Sequence, residues 1–244
     1  YSLVTTKAAK RAIQKHKKFL SLPLSTNDGR SLLEFDFLLM DTKKSRMMAK
    51  LFMKYLRSSG KVHVTTPAGT DMMFYKENRN PGFFNGVLRD GKGYSSSSIE
   101  VYVPIEETKT EGIMVLDGSL GYIGRADEPT RIIFKGGRIV DIEETPTGIR
   151  LKKYMEEYFD PRIYIAGELG IGLNSCSNCL GNCYIEDESA YGTFHVGLGR
   201  NIALGGVQNA KGHFDLVCRE PDIFTDNRQI MDRGKIIAPE PVLY

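Results

Sequence analysis

The chain of 244 residues is 41% hydrophobic and 26% charged, the balance of a soluble globular protein with room for one large domain, or one domain and a small appendage. It has no apolar run near the roughly 18 residues of a membrane span and no basic-then-apolar leader. This reads as a cytoplasmic protein without a membrane partner, and because Tyr1 is not an initiator methionine, residues upstream of it are expected. The net charge of +3 is uneven: residues 1–60 hold thirteen Lys/Arg against four Asp/Glu, the remainder twenty against twenty-six. The basic front reads as a solvated helix face with no nucleic-acid partner, since no aromatic residues interleave with its lysines.

In chain order, Thr5 or Thr6 can cap a helix running through Ala8, Ala9, Ala12 and Ile13 to about Lys18. Pro23 and Asn27-Asp28-Gly29 break it. Leu32 to Met40 is an apolar run for a short strand or a turn of helix. Asp41 caps a stronger helix, Thr42 to Ser59, with Met47, Met48, Leu51, Phe52, Tyr55 and Leu56 at helical spacing and Gly60 to stop it. From Lys61 the pattern becomes that of strands. Val62–Thr66 and Thr70–Tyr75 form a hairpin around Pro67-Ala68-Gly69, 78–98 reads as loop, and Ile99–Pro104 and Gly112–Asp117 are strands. Arg131 to Glu143 is a hairpin about Gly136-Gly137. A helix over Thr147–Phe159 precedes a strand from Arg162 to Glu168, and a last hairpin spans Ile223 to Ile237. The fold class is therefore α+β: a helical N-terminal segment, residues 1–60, packed on the mixed, largely antiparallel sheets of a β-rich metal-binding domain, residues 61–244.

Two of the four histidines, His195 and His213, lie in Gly192–Gly199 and Gly212–Cys218, both strand-like. Residues i and i+2 of a strand point the same way, so His213 and Asp215 present an imidazole and a carboxylate to one face. His195 on a neighbouring strand can close that grip. Glu100 sits inside an apolar strand and Glu168 at the end of another, where an unpaired charge is costly to bury, so each needs a cationic partner, arginine or metal. Two imidazoles and three carboxylates can hold two divalent ions bridged by a carboxylate and a water. Cys176, Cys179 and Cys183 read as reduced loop thiols in preference to a zinc site. The glycine clusters at 167–172 and 197–199 lack the order of a nucleotide loop.

These residues resemble the M29 metallopeptidases, the aminopeptidase T or thermophilic leucyl aminopeptidase group. The likeness runs from about Arg46 to Ile237 and rests on Ile99-Glu100-Val101 through Asp117-Gly118, on Ala166-Gly167-Glu168 through Gly172, on Gly181–Gly199 with His195, and on His213-Phe214-Asp215. It implies an M29-like fold and a metal-dependent aminopeptidase with metal ligands Glu100, Glu168, His195, His213 and Asp215. It further implies two ions per chain (Zn, Co or Mn), Glu168 or Glu100 as catalytic base, a small peptide substrate and a homodimer. The family's tyrosine seven residues after the first histidine falls on Ile202, and Glu186-Asp187-Glu188 reads as scaffold. Two alternatives stand beside the peptidase. One is a non-haem Fe(II) ring-cleaving dioxygenase holding one metal on His195, His213 and Asp215, a chemistry the M29-like proteins include; the other is a non-catalytic relative that binds a peptide or partner.

Overall fold

A computed structural model describes residues 6–21, 26–88, 94–226 and 228–237. Helix α1 (Lys7–Gln14) is capped by Thr6, whose hydroxyl accepts from the Ala9 amide at 3.2 Å. It ends short of the expected Lys18, with His16 turned to a φ of 56°; Thr5 and Pro23 lie outside the described residues. Strand β1 (Phe19–Ser21) follows, and the apolar run becomes two 3-10 turns, Leu32–Glu34 and Asp36–Leu39. Helix α2 (Thr42–Ser58) begins where expected, because Asp41 Oδ1 accepts from the Lys43 and Lys44 amides.

Then come β2 (Lys61–Thr65), β3 (Asp71–Tyr75), β4 (Gly82–Asn85), β5 (Tyr94–Ser96), β6 (Ile99–Pro104), β7 (Glu111–Leu116) and β8 (Ser119–Leu120). The hairpin of β9 (Thr130–Lys135) and β10 (Arg138–Ile142) leads to α3 (Pro146–Glu156), β11 (Ala166–Gly172), α4 (Tyr184–Ser189), β12 (Thr193–Gly199) and β13 (His213–Arg219). The chain closes with β14 (Asp222–Thr225), β15 (Arg228–Asp232) and β16 (Lys235–Ile236); Asn227 of the expected last turn lies outside the described residues.

Two antiparallel sheets carry the fold, with strand orders β10-β9-β7-β3-β2-β14-β15-β16 and β4-β6-β11-β12-β13-β8; β1 and β5 form a separate parallel pair. The architecture is the α+β arrangement expected. One continuous core joins Phe52 and Leu56 of α2 to Val64 and Phe74 of the first sheet and to Val101, Leu169, Val196 and Leu216 of the second.

Two local expectations change. The stretch read as loop at 78–98 contains β4 and β5, because β4 gains its ladder only from β6. The strand expected from Arg162 starts at Ala166. Before it, Asp160 accepts from the Arg162 amide and Pro161 opens a 3-10 turn, Pro161–Tyr164, so that segment curls first.

Candidate metal centre

Strand register brings the five side chains together. In the ladder, Glu168 faces Gly197 and Gly197 faces Asp215; Gly170 faces His195; Gly172 faces Glu100; and Gly199 faces His213. Directly opposed residues share a sheet face, so Glu100, Glu168, His195, His213 and Asp215 all project from one side of the six-stranded sheet. Bare backbone makes the room: a Cβ on Gly170 would lie 1.8 Å from His195 Nε2, and one on Gly197 would lie 2.8 Å from both Glu168 Oε2 and His213 Cε1. The glycines that suggested a phosphate loop are spacers beneath imidazoles.

His195 Nε2 stands 3.0 Å from Glu100 Oε2, and His213 Nε2 stands 3.2 Å from both Glu168 Oε2 and Asp215 Oδ1. One ligand atom each from Glu100, Glu168 and His195 lie within 4.8 Å of one another, as do those from Glu168, His213 and Asp215. Glu168 belongs to both sets. His213 Nδ1 lies 2.8 Å from the Arg200 carbonyl, which can only accept, so Nδ1 carries the proton and Nε2 faces the carboxylates. Glu100 Oε1 accepts from the Ser98 hydroxyl at 3.0 Å. The His213 side chain keeps 27% exposure while that of His195 keeps 1%, so His213 stands at the solvent side of the cluster.

The residues fit a divalent cation. Glu100 Oε2, Asp215 Oδ1 and His195 Nδ1 are buried without a well-directed hydrogen bond, an arrangement that costs free energy unless a cation or its bound water completes it. Burial raises Glu168, and burial with the nearby Glu100 and Asp215 charges holds Glu188 well above the usual carboxylate range. Burial opposes the charge on Asp215, but His213 and His195 outweigh it and hold this carboxyl low. Burial likewise opposes charge on the imidazoles, yet Glu100 and Asp215 lift His195 to about 9, and Asp215 with Glu168 lifts His213 well above its usual value. Positive charge on the imidazoles offsets the carboxylates, and a cation held there would do the same.

Sequence reasoning missed Tyr184. Its hydroxyl donates to Asp215 Oδ2, from a helix in which every residue is buried. Tyr184 and Glu188, four apart, share a face of α4, which is the signal that could have found them. Glu186 and Asp187 are scaffold as expected: they accept from the amides of Asn178, Leu180 and Gly181. Ile202, where a tyrosine was sought, is 46% exposed in the 3-10 turn Ile202–Leu204 and belongs to neither donor set. Among the described residues no cysteine joins a donor set; Asp187 and Asn174 tie the cysteine loop instead.

Comparison with known proteins decides the family. The family model of NicX, 2,5-dihydroxypyridine 5,6-dioxygenase, matches residues 35–238. The chain belongs to the NicX family. It is 25% identical over 216 residues to a 2,5-dihydroxypyridine 5,6-dioxygenase of Pseudomonas putida, an alignment covering 82% of this chain and 60% of the relative, so it spans about three-fifths of that protein's length. The solved structure of 2,5-dihydroxypyridine dioxygenase from P. putida KT2440 superposes with a TM-score of 0.84 at 20% identity, over 98% of this chain and 70% of the other. Wild-type AmpT from Thermus thermophilus gives 0.59 at 17% identity, over 80% and 54%.

These findings correct the M29 metallopeptidase assignment, and with it the metalloaminopeptidase activity and the hydrolase and protease reading. The likeness to AmpT is one of fold. The cause of the error is chemical: carboxylates and imidazoles on adjacent strands hold a divalent ion equally well for water activation or for oxygen chemistry, so the donor set alone does not separate a peptidase from a NicX-family protein.

Proposed function

We propose that the chain is a non-haem Fe(II) dioxygenase that opens a dihydroxylated pyridine ring. One observation carries the reading: the NicX family model covers residues 35–238, the span that contains all five clustered donors. The donor chemistry is compatible: Glu168, His213 and Asp215 form one donor set and His195 belongs to the adjoining one that shares Glu168, so the two histidines and Asp215 together would supply the two-histidine, one-carboxylate ligation that suits Fe(II). Bound Fe(II) supplies the redox chemistry with dioxygen that side chains lack. His213 and Asp215 would hold the ion, with His195 reaching it from the adjoining donor set that shares Glu168. Glu168, 3.2 Å from His213 Nε2, is placed to take the proton of a ring hydroxyl as the substrate docks. Glu100, steadied by Ser98, keeps His195 oriented, and the burial of the cluster limits water. Both atoms of one dioxygen enter the product as one ring C–C bond breaks.

The test is anaerobic loading with Fe(II), followed by oxygen uptake with 2,5-dihydroxypyridine. One oxygen consumed per ring lost and one iron per chain are expected; two ions per chain would assign Glu100, Glu168 and His195 a metal of their own. His195→Ala and Asp215→Ala should each lower iron retention and turnover by at least about 100-fold, beyond the usual cost of removing an outer partner. Full iron content with no oxygen uptake would sink the proposal.

A further inference from the structure

The two oxygens of Asp215 have unlike surroundings. Oδ2 accepts the hydroxyl of Tyr184. Oδ1 is buried, has no well-directed hydrogen bond, and belongs to the donor set with Glu168 and His213. An unrestrained carboxylate can rotate about its Cβ–Cγ bond and grip a cation with both oxygens. A hydroxyl committed to one oxygen removes that freedom. We propose that Tyr184 is a positioning residue that presents Asp215 to the metal through Oδ1 alone, keeping one more coordination position open for exogenous ligands.

The surroundings hold Tyr184 in this role. Its ring is buried and stacks on Tyr122, with centroids 4.3 Å apart and planes at 19°. Helix α4 is registered against the donor strands at its far end, where Ser189 Oγ accepts from the Ile99 amide at 3.0 Å and donates to the Ile185 carbonyl at 2.6 Å. Within the helix, Asp187 Oδ1 accepts from the Leu180 and Gly181 amides, which precede it, at 3.0 and 2.9 Å.

The inference rests on the metal-binding half of the proposed function and not on ring cleavage. It is tested on the full chain with Co(II) as a spectroscopic probe and Fe(II) under anaerobic conditions. Tyr184→Phe keeps the ring and its stacking and removes one hydroxyl; Tyr154→Phe, which removes a hydroxyl paired with Tyr158 and leaves the Asp215 contact in place, is the control. For Tyr184→Phe we expect Co(II) and Fe(II) dissociation constants weaker by about 10–100-fold, a Co(II) d–d spectrum altered by two-oxygen coordination, and a wild-type circular dichroism spectrum. Tyr154→Phe should bind like wild type. Wild-type affinity and an unchanged Co(II) spectrum in Tyr184→Phe would overturn the proposal. Should that variant fold only with metal, its spectrum at saturating Co(II) decides, the wild-type spectrum again being the adverse result. A wild-type chain that takes up neither ion overturns this inference and the proposed function together. Metal uptake with the Tyr184 effect but without oxygen consumption overturns the ring-cleaving activity alone.

Discussion

At Gly170 the imidazole of His195 crosses the neighbouring strand so closely that a Cβ would stand 1.8 Å from Nε2. A glycine in a strand interior ordinarily weakens it, and its presence here marks a close approach. Gly170→Ala should therefore displace the imidazole, cost about 1–3 kcal/mol of stability from overpacking, and weaken Co(II) binding by at least about tenfold. Calorimetric titration with Co(II) and a thermal melt check both, and wild-type affinity would place the His195 donor elsewhere. In the sequence this glycine was visible only as part of a glycine cluster. Its purpose depends on which strand lies beside it, and no local pattern states that. The strand pairs themselves were more legible: His213 and Asp215 share a face because they are two apart, a rule that needs no partner strand.

Between elements, Glu107 joins three parts of the chain far apart in sequence. Its carboxylate accepts from Arg79 at 2.6 and 2.8 Å, from Asn201 Nδ2 at 2.8 Å and from the Val207 amide at 3.0 Å. Burial alone would raise its pKa, but Arg79 and the other donors prevail and bring it from 4.5 to about 2. The folded state thus binds this proton less readily than the unfolded state. The stabilisation is whole above pH 4.5 and is lost as pH falls through about 2. A shift of this size corresponds to about 3 kcal/mol. Glu107→Gln should be less stable than wild type at pH 6 and should lose the part of the stability slope between pH 5 and pH 2 that Glu107 supplies, as urea denaturation across that range would show; an unchanged slope would remove Glu107 from this role. Elements differ in how far sequence exposes them. Helix α2 was readable from end to end, since its Asp41 cap and apolar face lie within the segment. Helix α4 has six residues, too few for a helical period, and its acidic run Glu186-Asp187-Glu188 is buried where such a run ordinarily faces solvent, so the helix and its Tyr184 were not foreseen. Strand β4 was hidden because its ladder belongs to β6.

The whole molecule encloses Glu100, Glu168, Asp215 and Glu188 with two imidazoles at the centre of one sheet face. Metal binding should therefore couple to global stability. At a free Fe(II) or Co(II) concentration 100 times the dissociation constant, the gain is about 2.7 kcal/mol, which for a chain of this size raises the melting temperature by roughly 5–10 °C. EDTA should reverse the rise, and Asp215→Ala should show little of it; a melting temperature indifferent to both ions would separate the cluster from metal binding. The sequence by itself determined the α+β class and the five donors now found together, because strand alternation and the cost of burying a charge are local constraints. Only the tertiary structure decided that Glu168 stands in both donor sets, that glycines make way for imidazoles, and that Tyr184 in place of Ile202 meets the site. The choice of chemistry also escaped a reading of donors: side-chain type governs which ion is held, whereas the reaction depends on what surrounds the ion's open positions, and those walls are assembled from segments distant in the chain.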